Sequence, residues 1–248
     1  MAREPVPHIH VPETSSTNAD AMARALAGAP LPFWLTADRQ TAGKGRSGRP
    51  WVSGEGNLTA SLALPLTCGP AIAAQLSLVA GVAVIDALSR VAPTHSREFR
   101  LKWPNDILHH NAKFGGILVE TAASGPAHGL AAAIGVGLNI ASAPSIDGRA
   151  TASLYAAGAQ VSLKSMFTAL TEAMDTALLL WEEGRGFALI RARWLAASLP
   201  TGTRLTVHAG ETTAEGAFAG LDGDGALVLE ISGGRLARFT FGDVTVAG

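Results

Sequence analysis

The chain of 248 residues carries 19 Lys and Arg against 20 Asp and Glu, and it is 48% apolar but only 16% charged. That balance excludes intrinsic disorder, and a net charge of -1 argues against a body built to hold nucleic acid or an anionic membrane surface. A single cysteine, Cys68, excludes an intrachain disulfide framework, and residues 1–15 hold no apolar leader, so a cytoplasmic protein is expected.

The cluster Ser15-Ser16-Thr17-Asn18 offers oxygens to orphan helix N–H groups, which predicts a helix running to Ala27 and stopping at Gly28-Ala29-Pro30. Trp34–Asp38 reads as a strand, Gly43–Arg49 as a glycine-basic loop, and Asn57–Leu64 as a second strand. Ala71–Arg90 reads as one long buried helix. The positive mean hydropathy of +0.25 makes it the candidate membrane span. Gln75 and Asp86 interrupt it and much of its apolarity is alanine, so no membrane partner is expected. Phe99–Trp103 is strand-like and broken at Pro104-Asn105-Asp106. Ile107-Leu108 and Gly116–Glu120 form the arms of a hairpin, and Leu130–Ile140 is a Gly/Ala-rich strand expected at the sheet centre. Leu163–Trp181 carries a helical apolar stripe, and Phe187–Ala197 is a second helix ending near Pro200. Beyond Pro200, short alternating segments separated by Asp222-Gly223-Asp224-Gly225 and Gly233-Gly234 predict a small β-barrel. The expected division is an α+β catalytic domain over residues 1–200 and a barrel over 201–248.

Three stretches carry chemistry. Gly43-Lys44-Gly45-Arg46-Ser47-Gly48-Arg49 places three glycines and three cations in seven residues, a loop able to wrap an anion with backbone N–H groups and fixed charge. Its spacing is neither a P-loop nor a dinucleotide fingerprint; a solvated basic loop is the plain alternative. Lys102-Trp103-Pro104-Asn105-Asp106 followed by Lys113-Phe114-Gly115-Gly116 joins a polar turn to a strand whose paired glycines suit close approach of another group. An ordinary hairpin corner has the same look. Gly135-Val136-Gly137-Leu138-Asn139 is a strand with alternating glycines, which tight helix–sheet packing would also explain.

Taken together with Ser16-Thr17-Asn18, Gln40, Trp51 and Gly242-Asp243-Val244, these stretches resemble the biotin–protein ligases over residues 11–246. The resemblance implies a mixed sheet with flanking helices, related to class II aminoacyl-tRNA synthetase cores, and a C-terminal SH3-like barrel. It implies ATP with Mg²⁺ and biotin as substrates, no tightly held prosthetic group, and transfer through biotinyl-5′-AMP to a lysine of a carboxylase carrier domain. It implies biotin contacts from Ser16, Thr17, Asn18, Gln40, Lys44, Gly45, Arg46, Lys113, Gly115 and Gly116. Nucleotide contacts would come from Arg46, Arg49, Trp51, Trp103, Asn105 and Asn139, and catalysis would rest on Arg46, Lys113, Asp106 and Lys102. For Asp106 the options are to orient or deprotonate the incoming lysine, to help hold Mg²⁺, or to stabilise its turn. Lys44 and Ser47 stand where some members have arginine, and a lysine cannot make a bidentate fork to phosphate.

Bifunctional members carry a winged-helix DNA-binding domain ahead of the first motif. Only fifteen residues precede Ser16, so the expected type lacks DNA as a partner; monomer and homodimer both stay open. The rival readings are a lipoate–protein ligase or octanoyltransferase of the same superfamily, and a non-catalytic biotin-sensing regulator. Cys68 lies in a turn outside every motif, which counts against octanoyl transfer. His8, His10, His109, His110 and His128 are expected in loops, and no ligand spacing assigns them a metal.

Overall fold

The computed structural model describes residues 4–124 and 129–246, so His128 lies outside the described residues. The first half forms β1 (His8–Thr14), α1 (Thr17–Leu26), β2 (Phe33–Gln40), β3 (Leu58–Leu66), α2 (Pro70–Ala73), α3 (Leu76–Val91), β4 (Phe99–Lys102), β5 (Asp106–His109), β6 (Ala112–Ala123) and β7 (Leu130–Leu138). The second half adds α4 (Leu163–Trp181), α5 (Phe187–Ala197) and strands β8 (Arg204–Ala209), β9 (Thr212–Leu221), β10 (Leu227–Ile231), β11 (Arg235–Phe239) and β12 (Asp243–Val246).

The main sheet has the order β1-β2-β3-β7-β6-β5-β4, with β1 parallel to β2 and the other pairs antiparallel. The Gly/Ala-rich strand β7 therefore occupies the centre, as its composition predicts. Strand alternation sorts side chains to two faces. Phe33, Leu35, Ala63 and Ala131 pack with Ala21 and Ala25 of α1, while Trp34, Leu62, Leu64 and Ile134 join the larger core with α3, α4 and α5. The helix start falls inside the predicted cap cluster, with Ser16 extended and its side chain accepting from the Ala19 N–H.

The expected single helix over 71–90 is instead two pieces. At Gln75 the bonds tighten to the i→i+3 pattern, its N–H donating to the Ile72 carbonyl and its carbonyl accepting from the Leu78 N–H, and Gln75 Oε1 accepts from the buried Trp181 indole at 2.8 Å. Pro70–Val91 as a whole is long and apolar enough to cross a membrane. In this fold its Leu76, Val79, Ala80, Ala83, Val84, Ala87 and Leu88 are all buried in the protein core. The histidine placement also needs correction. His8 and His10 lie in β1 on the Thr36 hydroxyl, and His109 ends β5, beside the two-residue turn His110-Asn111 with φ of 46° and 69°.

The C-terminal strands form a second antiparallel sheet of order β11-β10-β9-β8-β12. The expected SH3-like barrel is not closed: among the described residues no ladder joins β11 to β12. Its free edges are a four-residue strand and one carrying Arg235 and Arg238, features that protect an unpaired edge. Leu205, Val207, Phe218, Leu227 and Leu229 share one continuous core with Leu101, Trp103 and Trp194. The small sheet thus draws stability from the larger one.

Candidate active site

A cavity of about 300 Å³ opens where α1, the central strands, the glycine-basic loop and β12 converge. At one end the N-terminus of α1 presents a polar recess. Gln40 Oε1 accepts from the Thr17 N–H at 2.8 Å and from its hydroxyl at 3.1 Å, and Ser61 donates to Asn18 Oδ1 at 2.9 Å. Asn18 Nδ2 donates to the Leu118 carbonyl and, at 2.8 Å, to Glu120. Asn18 is held so close to β7 that a Cβ on Gly135 would lie 2.6 Å from its oxygen.

The glycine-basic loop straps the opening. Gly45 N–H donates to the Arg49 carbonyl at 2.7 Å and Trp51 N–H to the Gly43 carbonyl at 2.8 Å, with Ser47 and Gly48 both left-handed. This fold throws the Trp51 indole onto the glycine strands: a Cβ on Gly137 would lie 2.5–2.7 Å from it, and one on Gly116 3.3 Å. Gly137→Ala is therefore expected to push Trp51 off the strand and destabilise the fold by about 1–3 kcal/mol, on the scale of overpacking a tight contact, as denaturant unfolding would measure.

Asp106 sits at the foot of the strap between two ammonium groups, Lys102 Nζ at 2.9 Å and Lys113 Nζ at 2.5 Å. Burial alone would raise the Asp106 carboxyl, but the charges of Lys102 and Lys113 and their hydrogen bonds outweigh it and hold the group down to about 2. Lys113 is pushed below the ordinary lysine value by its own burial, which the attraction of Asp106 only partly offsets. Lys102 also donates to the Val244 carbonyl at 2.6 Å. Arg46 donates twice to the Gly242 carbonyl, each at 3.2 Å, and Arg49 pairs with Asp243. Around the cavity, Lys44, Arg46, Arg49, Lys102, Lys113 and Arg149 face two carboxylates, Asp106 and Asp243. A chain of near-zero net charge thus concentrates positive potential at one place, suited to a polyanion.

The match to known proteins agrees with this geometry. Residues 12–139 match the model of the biotin/lipoate A/B protein ligase family. A biotin–[acetyl-CoA-carboxylase] ligase of Paracoccus denitrificans is 37% identical over 230 residues, covering 90% of this chain and 93% of that protein. The chain belongs to this ligase family. A biotin–[acetyl-CoA-carboxylase] ligase of Mycobacterium tuberculosis is 34% identical, covering 94% of this chain and 86% of that protein. In fold, a biotin protein ligase from Aquifex aeolicus in complex with biotin and ATP aligns with a TM-score of 0.81 at 24% identity, over 97% of this chain and 99% of that one.

Of the positions that the ligase resemblance selects, Ser16, Thr17, Asn18, Gln40, Lys44, Gly45, Arg46, Arg49, Trp51, Lys102, Trp103, Asn105, Asp106, Lys113, Gly116 and Asn139 all border the cavity. Gly115 does not. Period-two alternation turns it to the opposite face from Gly116, where a Cβ would meet Leu138 at 2.6 Å, so it serves close packing of β6 on β7. Trp103 borders the cavity but belongs mainly to the core, donating its indole N–H to the Gly225 carbonyl at 3.1 Å. Asn105 is spent largely on the fold, donating to the Ile117 carbonyl at 2.7 Å. Asn139 is buried, with Nδ2 on the Ala152 carbonyl and Oδ1 lacking a partner among the described residues; the Trp51 indole N–H is likewise unmatched. Sequence reasoning quoted Asp243 within a motif but gave it no role, and it missed Ser61 and Arg149. Arg149 follows Gly148 in a segment whose next residues bond the Lys113 backbone on both sides.

Proposed function

We propose that this protein is an ATP-dependent biotin–protein ligase that forms biotinyl-5′-AMP and passes the acyl group to a lysine of a carboxylase carrier domain. The observation that carries the reading is a single cavity joining an uncharged polar recess at Thr17 and Gln40 to a ring of six cations. A neutral ureido head suits the former, and a carboxylate meeting a polyphosphate suits the latter. The names of the relatives in Paracoccus and Mycobacterium support biotin over lipoate, and acetyl-CoA carboxylase as the acceptor's source. ATP as second substrate supports the cytoplasmic location.

Bringing two anions together is the chemical difficulty, and charge neutralisation with alignment meets it without an enzyme nucleophile. Lys113 lies 5.7 Å from the Trp51 ring centroid, over the wall against which biotin's apolar part would rest, and so would meet the attacking carboxylate and the α-phosphate. Arg46 and Arg49 would take the phosphates, and the unmatched Asn139 Oδ1 suits an amine donor such as that of adenine. Both Asp106 oxygens are occupied by ammonium groups, so this carboxylate does not fit a Mg²⁺ ligand. Mg²⁺ enters on the nucleotide phosphates as part of the substrate. The depressed Asp106 carboxyl is also a poor proton acceptor for a lysine ammonium. It acts instead as a positioning residue for Lys102 and Lys113. Attack of the carrier amine on the mixed anhydride then releases AMP.

The reading is tested by incubating the protein with ATP, Mg²⁺, a purified carrier domain and either biotin or lipoate, followed by intact mass measurement. One biotinyl group on the carrier and no lipoyl group is the expected result. Lipoyl addition, or an unmodified carrier in both arms, overturns it.

A further inference from the structure

Away from the cavity, the end of the β4–β5 pair opposite Lys102 and Asp106 carries a second cluster. Strand pairing sets Phe99 opposite His109, so the residue before β4, Glu98, stands beside the turn after β5. His110 N–H donates to the Glu98 carbonyl at 3.3 Å, fixing that proximity. The side chains converge as well. Oε2 of Glu98 lies 2.8 Å from His109 Nε2, 3.6 Å from His110 Nε2 and 3.2 Å from His95 Nδ1.

Hydrogen bonds from His109 and His95 use the two lone pairs of this oxygen, so the approach of His110 Nε2 to 3.6 Å adds a third imidazole that is too far for a hydrogen bond. We propose that Glu98, His109 and His110 are the protein ligands of a divalent transition-metal site of the zinc class, with His95 holding the carboxylate from outside. The donor atoms of Glu98, His109 and His110 all lie within 4.8 Å of one another, and this is the one such group among the described residues. Tetrahedral bonds of about 2.0–2.1 Å require ligand atoms roughly 3.3–3.4 Å apart. The two Glu98–imidazole separations, 2.8 and 3.6 Å, straddle that value, so small rotations suffice.

The donor chemistry selects the metal. Two imidazoles with one carboxylate suit Zn²⁺ and its neighbours, whereas Mg²⁺ and Ca²⁺ prefer all-oxygen shells. The ligands are also oriented in advance. The His109 ring packs against Phe99 with centroids 5.0 Å apart and against His110 at 4.5 Å. His109 is largely buried while His110 is 68% exposed, which leaves an approach from solvent and room for water at the remaining coordination position. A bound metal would staple the start of β4 to the tip of the β5–β6 hairpin that carries Asp106 and Lys113.

The test is titration of chelator-treated, full-length protein with Zn²⁺ by calorimetry, with stoichiometry read in parallel by native mass spectrometry. One equivalent is expected in the micromolar range or tighter, unaffected by millimolar Mg²⁺. His110→Asn keeps a residue that tolerates the left-handed turn and is expected to weaken binding by at least about tenfold. Zn²⁺ should raise the melting temperature of the wild type but not of this variant. His10→Ala should bind as the wild type does, since His10 lies at β1. Substoichiometric binding, competition by Mg²⁺, equal affinity in His110→Asn, or loss confined to His10→Ala would each overturn the assignment.

Discussion

Replacing Lys113 with alanine is expected to slow pyrophosphate release from biotin and ATP by about 10²-fold or more, the usual scale for losing one fixed electrostatic stabiliser. The side chain is well placed for that effect: it is largely buried, 2.5 Å from Asp106, and beside the Trp51 ring. In such a setting a charge is weakly screened and needs no reorganisation when the phosphate develops charge. The loss should appear equally in kcat and kcat/KM, because the stabilisation belongs to the transition state. A raised KM with unchanged kcat would assign Lys113 to substrate binding alone. Lys113→Arg is not expected to rescue, since a planar fork replaces a compact ammonium in a space bounded by Asp106 and Trp51.

Asp106→Asn should have the larger effect on the fold. It leaves two buried ammonium groups, Lys102 and Lys113, without the carboxylate between them. Breaking a buried pair from one side costs about 3–5 kcal/mol, and at this chain length that corresponds to a fall of roughly 6–20 °C in melting temperature. Differential scanning calorimetry would check it, and a melting temperature within about 2 °C of wild type would refute the pairing. The acid limb offers an independent reading. The Asp106 carboxyl is near 3.8 when unfolded and held at about 2 when folded, so the unfolded chain binds the extra proton between those values. Stability from this group is therefore complete above pH ~4 and is lost as pH falls through 2, by an amount of order 2 kcal/mol. The asparagine variant should lack that segment of the pH profile.

The chain order of motifs was enough to collect most of the cavity wall, because the features involved are local. Gly43–Arg49 announces itself by composition, and the α1 start by its cap residues. Harder to read was how a residue divides between cavity and core where a neighbour on the strand faces the other way. Phe99, Leu101 and Trp103 share one parity and Arg100 and Lys102 the other, so a cavity-facing Lys102 already implies that Trp103 turns toward the core. The same parity separates Gly115 from Gly116. Asp243 was not legible as a partner of Arg49, because 194 residues separate them and nothing local marks the contact. His109 and His110 read as loop residues without a metal, and their convergence with Glu98 was not legible for a related reason: it depends on the β4–β5 register, while metal motifs are read as fixed spacings along one element. The expectation of an SH3-like barrel rested on strand pattern, turn residues and the resemblance, none of which specifies whether the first and last edges meet.

The contacts of Arg46 with the Gly242 carbonyl span 196 residues, and Lys102 reaches the Val244 carbonyl across 142. Such pairings carry a high contact order, which slows folding because long loops must close before these contacts repay them. On the ribosome, which delivers a chain from its N-terminus, the recess of Thr17 and Gln40 and the central strands are synthesised long before β12. The guanidinium of Arg46 and the ammonium of Lys102 acquire these last anchors only when that four-residue strand docks. The anion site is therefore completed by residues at the far end of the sequence, which supply one carbonyl to each of these two cations.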